Sequence, residues 1–367
     1  MSADASSSPL GTSLLRSLRT LPQFTRTHRH ARTLWQHSTP RRLANLARIE
    51  WEYRRRRTVV TGRPYILFVD PTNVCNLRCP LCPTGLGTPG RRAMMMPWET
   101  FTRAIDQLAP WAYEVNLHNW GESLLHKHVF DMIAYCRDRN LATNMSENFG
   151  IVRPGTIDRL IDSGLEYLTL SIDGATQDVY AHYRREGELD VVLRNARELV
   201  RRRTALGSRT PFIEWQFILM RHNAHELEAC RALAAEVGVD LFRVIPPGIP
   251  FDAPNGAVLK AEWFVPAATG GDTAYEDFRE QQGAACFYLY RSFTVNPDGK
   301  TAPCCIVTGE ENDFGDLLRD DVASIWNNER YRSARAQFRA QGDVSVATVC
   351  DRCDYFAKRT SPPVRSA

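Results

Sequence analysis

The sequence predicts an α/β protein: a partial (βα)6 barrel of the TIM type, with a basic helical N-terminal extension and a small cysteine-rich C-terminal module. Two observations carry this prediction. From residue 65 onward, short β-branched or aromatic runs alternate with amphipathic helical stretches, which is typical of a parallel sheet with crossover helices. Eight of the ten cysteines lie in two groups, one after the first strand and one toward the C-terminal end.

Six strands and five intervening helices are expected in the barrel. The strands are predicted at residues 65–70, 113–118, 141–145, 167–173, 213–220 and 240–246. The helices are predicted at residues 97–109, 128–139, 155–164, 191–203 and 224–238. Six βα units are too few to close an eight-stranded barrel but suffice for a curved, open one. Chemistry is therefore expected at the carboxyl ends of the strands.

The chain divides into four predicted segments. They are an extension (1–60), the barrel (61–247), a linker (248–283) and a C-terminal module (284–367). The linker follows from the density of Pro and Gly in "IPPGIPFDAPNG". In the last segment we expect a hairpin that turns at residues 296–299 and a helix over 322–341.

Charge is distributed unevenly along the chain. Residues 1–57 carry twelve Arg against three acidic residues, although the net charge of the whole chain is only +4. We expect a solvated helical arm, with contact to an anionic membrane surface or an acidic partner as the alternative. Hydrophobic content of 43% is ordinary for a globular protein, and no run approaches the roughly 18 apolar residues of a spanning helix. No apolar secretion segment is present, so a bacterial cytoplasmic protein is expected.

The first group of cysteines has the spacing C-x3-C-x2-C. Cys75, Cys79 and Cys82 occupy the loop that leaves the first predicted strand. Thiolates so close together in a loop are expected to converge on a metal or a cluster. A structural zinc needs a fourth ligand, usually from a second C-x2-C or a His pair, and neither follows nearby. A 4Fe-4S cluster held by three cysteines leaves one iron open, and we favour it over zinc.

Over residues 65–246 the sequence resembles the radical S-adenosylmethionine (SAM) enzymes, whose hallmark is this spacing after the first strand of a partial barrel. The resemblance implies that the open iron binds the amino and carboxylate groups of SAM. It also implies that Gly121 and Glu122, after the second strand, contact the amino group. The resemblance further implies that Ser171 and Asp173, at the end of the fourth strand, contact the ribose of SAM.

Other positions match the family less closely. Arg184, after the fourth strand, is expected to reach the SAM carboxylate, and Asn144 stands in Thr-Asn-Met where many members have Thr-Asn-Gly. Leu81 replaces an aromatic residue before the third cysteine, and Ser123 replaces a proline after Gly-Glu. None of these residues ligates iron, so the departures bear on the subfamily and not on the chemistry.

The second group of cysteines resembles the SPASM and twitch extensions. Cys286, then Gly299, then Cys304 match the opening of that motif, and Cys350 and Cys353 complete it. The resemblance implies a small iron–sulfur module in which these four cysteines hold one auxiliary 4Fe-4S cluster. No cysteine follows Cys353, so one cluster is expected and not two. A zinc ribbon is the alternative, because one C-x2-C pair and two further cysteines also suit zinc.

Three residues are candidates for catalysis: Cys305, Glu214 and Arg243. Cys305 is a further ligand, a hydrogen-atom donor or a buried small residue, and we favour burial. Glu214 and Arg243 belong to a set of polar residues expected to line the barrel and to hold a substrate or accept a proton. The other members of this set are His118, Asn119, Glu147 and Gln216.

The family resemblance implies reductive cleavage of SAM to a 5′-deoxyadenosyl radical, which removes hydrogen from a substrate. We expect a small-molecule substrate, oxidised or epimerised at a carbinol carbon of a sugar or cyclitol, and an electron donor such as flavodoxin or ferredoxin. The saturated auxiliary cluster favours oxidation. One alternative is maturation of a ribosomal peptide. The other is a zinc-dependent protein that uses the basic arm to bind nucleic acid or a partner; the cysteine spacing argues against it, so we expect no nucleic acid.

Overall fold

A computed structural model describes residues 22–251, 253, 255–265, 285–339 and 344–353, with side chains from residue 29 onward. Most of the predicted linker and the far C-terminal end lie outside these residues. No helix among the described residues is both long enough and apolar enough to cross a membrane.

One sheet organises the described part of the chain. Its strands are β1 (Ile66–Val69), β2 (Glu114–Asn116), β3 (Ala142–Glu147), β4 (Tyr167–Ser171), β5 (Phe212–Ile218), β6 (Leu241–Ile245), β7 (Ser292–Val295), β8 (Lys300–Ala302) and β9 (Gly315–Asp316). Their order is β6-β5-β4-β3-β2-β1-β7-β8-β9, and β1 to β6 pair in parallel. The partial barrel is therefore confirmed, with its predicted strands in sequential order.

Twelve α-helices lie among the described residues. They are α1 (Pro22–His37), α2 (Pro40–Arg54), α3 (Trp98–Leu108), α4 (Val129–Arg137), α5 (Thr156–Asp162), α6 (Gln177–Tyr183), α7 (Leu189–Ala205), α8 (Leu227–Val237), α9 (Gly256–Trp263), α10 (Tyr288–Arg291), α11 (Val322–Trp326) and α12 (Glu329–Ala336). In α3 the apolar residues Phe101, Ile105 and Leu108 recur at helical spacing and are fully buried. Burying each such side chain contributes about 1.5–3 kcal/mol.

The C-terminal module continues the barrel sheet. Strand β7 pairs in parallel with β1, and β8 folds back on β7 at the predicted turn. Behind the hairpin, Phe293 packs against Trp326 and Tyr331, with ring centroids 5.9 Å and 6.5 Å away. The module therefore shares the hydrophobic core of the barrel.

The single helix predicted over residues 322–341 is wrong. Two short helices, α11 and α12, are separated at Asn327 and Asn328. The side chain of Asn328 caps α12 by accepting a hydrogen bond from the Tyr331 N–H, and the amide of Asn327 donates to the Val60 carbonyl. Asparagine favours such caps because its side chain competes with the backbone for hydrogen bonds. The predicted linker also contains a helix, α9.

The basic extension is docked and not solvated over its described part. In α2 the Arg42 side chain is buried, and its guanidinium donates to the carbonyls of His37, Ala109 and Asn140. The carboxylate of Glu52 accepts from the backbone N–H groups of Thr61 and Gly62. Since Ala109 and Asn140 precede β2 and β3, α2 covers the amino ends of the barrel strands, opposite the expected site.

We predict that Arg42→Met lowers the free energy of unfolding by about 3 kcal/mol, because several buried carbonyls lose a charged donor. Urea denaturation of the cluster-free protein measures the change. Arg48→Met, at an exposed position of the same helix, is the control and should leave stability within about 0.5 kcal/mol. Equal stability of the two variants would show that the hydrogen bonds of Arg42 do not help to hold the extension on the barrel.

Candidate active site

The three-cysteine loop leaves the carboxyl end of β1. The Cys82 N–H donates to the Cys79 carbonyl at 3.2 Å, and the Leu77 N–H lies 3.4 Å from the Cys75 sulfur. All three cysteines line one cavity of about 1220 Å³. Burial raises the pKa of Cys75 to about 12 and also raises that of Cys79. Thiolates at these positions therefore need positive charge beside them, which iron supplies.

Two glycines allow the backbone to approach this loop. A Cβ atom on Gly121 would lie 1.9 Å from the Thr72 carbonyl oxygen, and one on Gly85 would lie 2.4 Å from the Cys79 carbonyl oxygen. No other residue fits either place without moving the main chain. Gly121 thereby lets the segment after β2 lie against the residues that precede Cys75, and the Glu122 N–H donates to the Val74 carbonyl.

Glu122 is paired with a second buried carboxyl group, that of Glu147 at the end of β3. Glu122 accepts a hydrogen bond from the Asn148 N–H, and Glu147 accepts one from the Leu124 N–H. One oxygen of each carboxyl group has no N–H or O–H donor among the described residues. Burial raises the pKa of both groups, and their mutual repulsion raises that of Glu147 further. A proton shared by the pair, or a bound cation, relieves this repulsion.

Arg184 and Ser171 lie on the cavity surface, but Asp173 does not. Asp173 is 0% exposed and accepts hydrogen bonds from Arg184 Nε and from the Ile218 N–H, both at 2.6 Å. Asp173 therefore does not present its carboxylate to the cavity, where the ribose contact is expected. It holds the Arg184 side chain in place. Arg184 in turn places its Nη1 atom 3.9 Å from the Cys79 sulfur.

Asn144, which the family resemblance places near SAM, does not reach the cavity. Its side-chain amide donates to Asn116 Oδ1 at 3.2 Å inside the barrel. Asn148, four residues later, does line the cavity, and its Nδ2 atom lies 3.8 Å from the Cys75 sulfur. Asn148 could have been predicted as a cavity residue from its position, because it directly follows the last residue of β3 and the site lies at the carboxyl ends of the strands.

The cysteines of the C-terminal module line the same cavity. They are Cys286, Cys304, Cys305, Cys350 and Cys353. Burial raises the pKa of Cys304 and of Cys350, and each is raised further by neighbouring thiols of this group. Thr348 and Asp351 cap the short helix that carries Cys350, so that helix has a fixed start. The structure therefore brings both predicted cysteine sets to one cavity.

Of the three catalytic candidates, only Cys305 faces the cavity. Burial raises its pKa to about 11, although a hydrogen bond from the Tyr288 side chain lowers it. Glu214 and Arg243 instead form an ion pair, with the partly buried guanidinium 2.6 Å from the buried carboxylate. The same guanidinium donates to the side-chain oxygen of Gln216 at 2.6 Å, and Gln216 does line the cavity.

The donors present fit iron–sulfur clusters. Among the described residues, no group of three or more His, Cys, Asp or Glu side chains is arranged to hold a single metal ion. One set of three and one set of at least four thiols on a single cavity suit two clusters.

Family comparisons agree with this geometry. Residues 69–211 match the model of the Radical SAM superfamily. Residues 286–354 match that of SPASM, the iron–sulfur cluster-binding domain. The chain is a radical SAM protein with a SPASM domain. Its cofactors are accordingly SAM and 4Fe-4S clusters, including an auxiliary cluster.

Curated relatives match this radical SAM protein at low sequence identity, over most of the chain or over about a third of it. The PqqA peptide cyclase of Xanthomonas axonopodis pv. citri is 24% identical over 314 residues, which cover 79% of this chain and 80% of the relative. The AdoMet-dependent heme synthase of Methanosarcina barkeri is 26% identical over 125 residues, 34% of this chain and 36% of the relative.

Solved structures show the same fold. Streptococcus suis SuiB bound to the precursor peptide SuiA gives a TM-score of 0.57 at 14% identity, covering 79% of this chain and 70% of SuiB. A structure of anSMEcpe with bound AdoMet and the Cp18Cys peptide gives a TM-score of 0.54 at 13% identity, covering 80% and 87%. At such identities the likeness establishes the fold alone.

We predict that Glu147→Gln stabilises the cluster-free radical SAM protein relative to wild type as pH rises above about 4.5. The folded-state pKa of Glu147 is raised, so its contribution is complete below the unfolded value and is lost as pH rises through the folded value. The difference should grow by up to about 1.4 kcal/mol per pH unit.

Urea denaturation between pH 5 and pH 8 checks this dependence. Glu99→Gln, at an exposed position in the first turn of α3, is the control. Parallel stability curves for wild type and Glu147→Gln would contradict the proposed carboxyl pair.

Proposed function

We propose that this protein is a radical SAM enzyme that modifies a residue of a ribosomally made peptide. The observation that carries the proposal is the single cavity lined by both cysteine sets. Its volume of about 1220 Å³ exceeds the roughly 300–1,000 Å³ of ordinary small-ligand sites, as expected of a cavity that has to take two clusters, SAM and a substrate. The relatives that match most of the chain support the proposal, because they are named as PqqA peptide cyclases, and SuiB is solved with a precursor peptide.

In this proposal Cys75, Cys79 and Cys82 hold the SAM-binding cluster, and the Glu122 carboxylate accepts a hydrogen bond from the amino group of SAM. When both cofactors are bound and the cluster receives an electron from a donor protein, they would supply the radical chemistry that removes a hydrogen atom from the substrate. Arg184, fixed by its buried ion pair with Asp173, offers its guanidinium to the SAM carboxylate.

The remaining cavity residues would bind the substrate and the second cluster. Cys286, Cys304, Cys350 and Cys353 would saturate an auxiliary cluster, which suits electron transfer better than substrate binding. Gln216 has its side-chain oxygen fixed by Arg243 and so presents its amide N–H groups, which are donors suited to a peptide carbonyl. A flavodoxin or ferredoxin is the proposed electron donor, and the reaction is proposed to be an oxidation.

The second candidate is oxidation or epimerisation of a small carbinol. One observation favours it: polar side chains of α2, the helix just ahead of the barrel, are engaged within the protein and so are not offered to a peptide. Arg42, Asn45 and Glu52 of α2 are buried, with their side chains hydrogen-bonded within the protein.

A peptide assay separates the two candidates. The anaerobically reconstituted enzyme is reduced with dithionite and given SAM with either short peptides encoded beside its gene or a panel of sugars and cyclitols. We expect a mass change in one peptide together with an equal amount of 5′-deoxyadenosine. If product forms only from a carbinol, the peptide proposal is wrong.

The ligand assignment is tested separately by iron content. We predict about eight irons per chain for wild type and about four for the variant with Cys75, Cys79 and Cys82 replaced by Ala, which should make no 5′-deoxyadenosine. Cys136→Ala, at a buried cysteine in α4 that does not line the cavity, is the control and should keep about eight irons. Eight irons in the triple variant would place the SAM-binding cluster elsewhere.

A further inference from the structure

The loop that carries the three cysteines is closed on its barrel side. Residues before Cys75 pair with residues that lead into α3. The Met94 N–H donates to Asn73 Oδ1 at 2.8 Å, and Thr72 Oγ1 donates to the Met94 carbonyl at 2.9 Å. The Met96 N–H donates to the Pro71 carbonyl at 2.8 Å. These bonds fix both limbs of the loop, and the N–H groups of residues 86–88 donate back to the carbonyls of residues 82–84. The outer turn, residues 89–91, is held by another part of the chain.

The SPASM domain holds that outer turn. The backbone N–H groups of Gly309 and Glu310 donate to the carbonyls of Pro89 and Gly90, at 3.2 Å and 3.0 Å. The two main chains touch: a Cβ atom on Gly90 would lie 2.6 Å from the Gly309 Cα atom. Gly90 and Gly309 both have positive φ, so the close approach also depends on their lack of a side chain.

At the same contact Arg91 forms ion pairs with Asp298 and Asp313, and we call these three residues the clamp. Its guanidinium donates to Asp298 Oδ2 at 2.6 Å and to Asp313 Oδ1 at 2.7 Å. The three side chains are only 6%, 18% and 8% exposed, so solvent and salt screen the pairs weakly. Removing the cation would leave two carboxylates facing each other with little water.

The clamp connects the two cysteine sets through short lengths of chain. Arg91 follows Cys82 by nine residues, and Asp298 lies in the β7–β8 turn, six residues before Cys304. Asp313 follows Cys304 by nine residues, so both partners of Arg91 flank that cysteine in sequence. A shift of the SPASM hairpin would therefore move the outer turn of the three-cysteine loop.

We propose that Arg91 is a positioning residue that fixes the three-cysteine loop against the SPASM domain and thereby sets the affinity of the loop's cluster site for SAM. The inference needs only the cofactors of the family and does not depend on a peptide substrate. Arg91 does not line the cavity, so its effect must pass through the loop.

The test measures SAM binding to the reconstituted protein by equilibrium dialysis, without substrate. Arg91→Gln should weaken SAM binding about five- to tenfold at unchanged iron content, a range usual for coupling between sites. The EPR change that SAM causes in the reduced protein should be altered in the same variant. Arg139→Gln is the matched control, because Arg139 makes a 2.7 Å bond to Asp106 at the surface between α3 and α4.

A neutral variant, without charges at this contact, separates the proposed effect on SAM binding from misfolding caused by two unpaired carboxylates. Arg91→Gln combined with Asp298→Asn and Asp313→Asn removes the repelling charges and should fold and load iron as wild type does, yet still bind SAM more weakly. In the cluster-free protein, hydrogen exchange at the Gly309 and Glu310 amides should be faster in both Arg91 variants than in Arg139→Gln. Wild-type SAM affinity in the neutral variant, or unchanged exchange at those amides, would overturn the proposal.

Discussion

Pairing of β1 on both sides is the constraint on which the site depends. Strand β1 pairs in parallel with β2 on one edge and with β7 on the other, so Ile66 lies opposite both Glu114 and Ser292. Because its backbone groups are used on both edges, β1 cannot slide relative to either half of the molecule. The loop at its carboxyl end must then lie between the segment bearing Glu122 and the SPASM cysteines, which is why one cavity receives both cysteine sets.

Around that cavity, buried charges are balanced locally. The Arg184 guanidinium is matched by the Asp173 carboxylate, and Arg243 is matched by Glu214. Burying an ion pair costs desolvation free energy, so these pairs add little to the stability of the fold. Their effect is to fix the orientation of the two side chains. Arg184 consequently has one orientation toward the Cys79 sulfur, whereas the Glu122 carboxyl retains a buried oxygen without a protein donor among the described residues. The site thus combines a fixed cation with an unsatisfied acid.

The sequence was sufficient for the strands and the two cysteine sets, because these depend on periodicity and on spacing within a short loop, whereas Glu122 followed from the family resemblance. It was not sufficient where tertiary contacts decide. Asn144 and Asn148 both lie near the carboxyl end of one strand, and only the real end of β3 shows which of them reaches the cavity. Asp173 alternates with Ser171 along the chain, yet the sequence does not reveal that Arg184 covers it. Burial of Arg42 depends on carbonyls about 70 and 100 residues away.

The docked extension ties the beginning of the described chain to its end. Tyr53 donates to the Ala285 carbonyl, Tyr290 donates to the Arg57 carbonyl, and the fully buried Arg335 donates to the Thr58 carbonyl. During synthesis the ribosome releases residues 40–60 long before residues 285–335 exist. Helix α2 can therefore complete its native contacts only at the end of translation, and such long-range closure slows folding. The contacts of the amino-terminal segment with residues 285–335 therefore form late in folding, and the barrel reaches its final form only after both cysteine sets have left the ribosome.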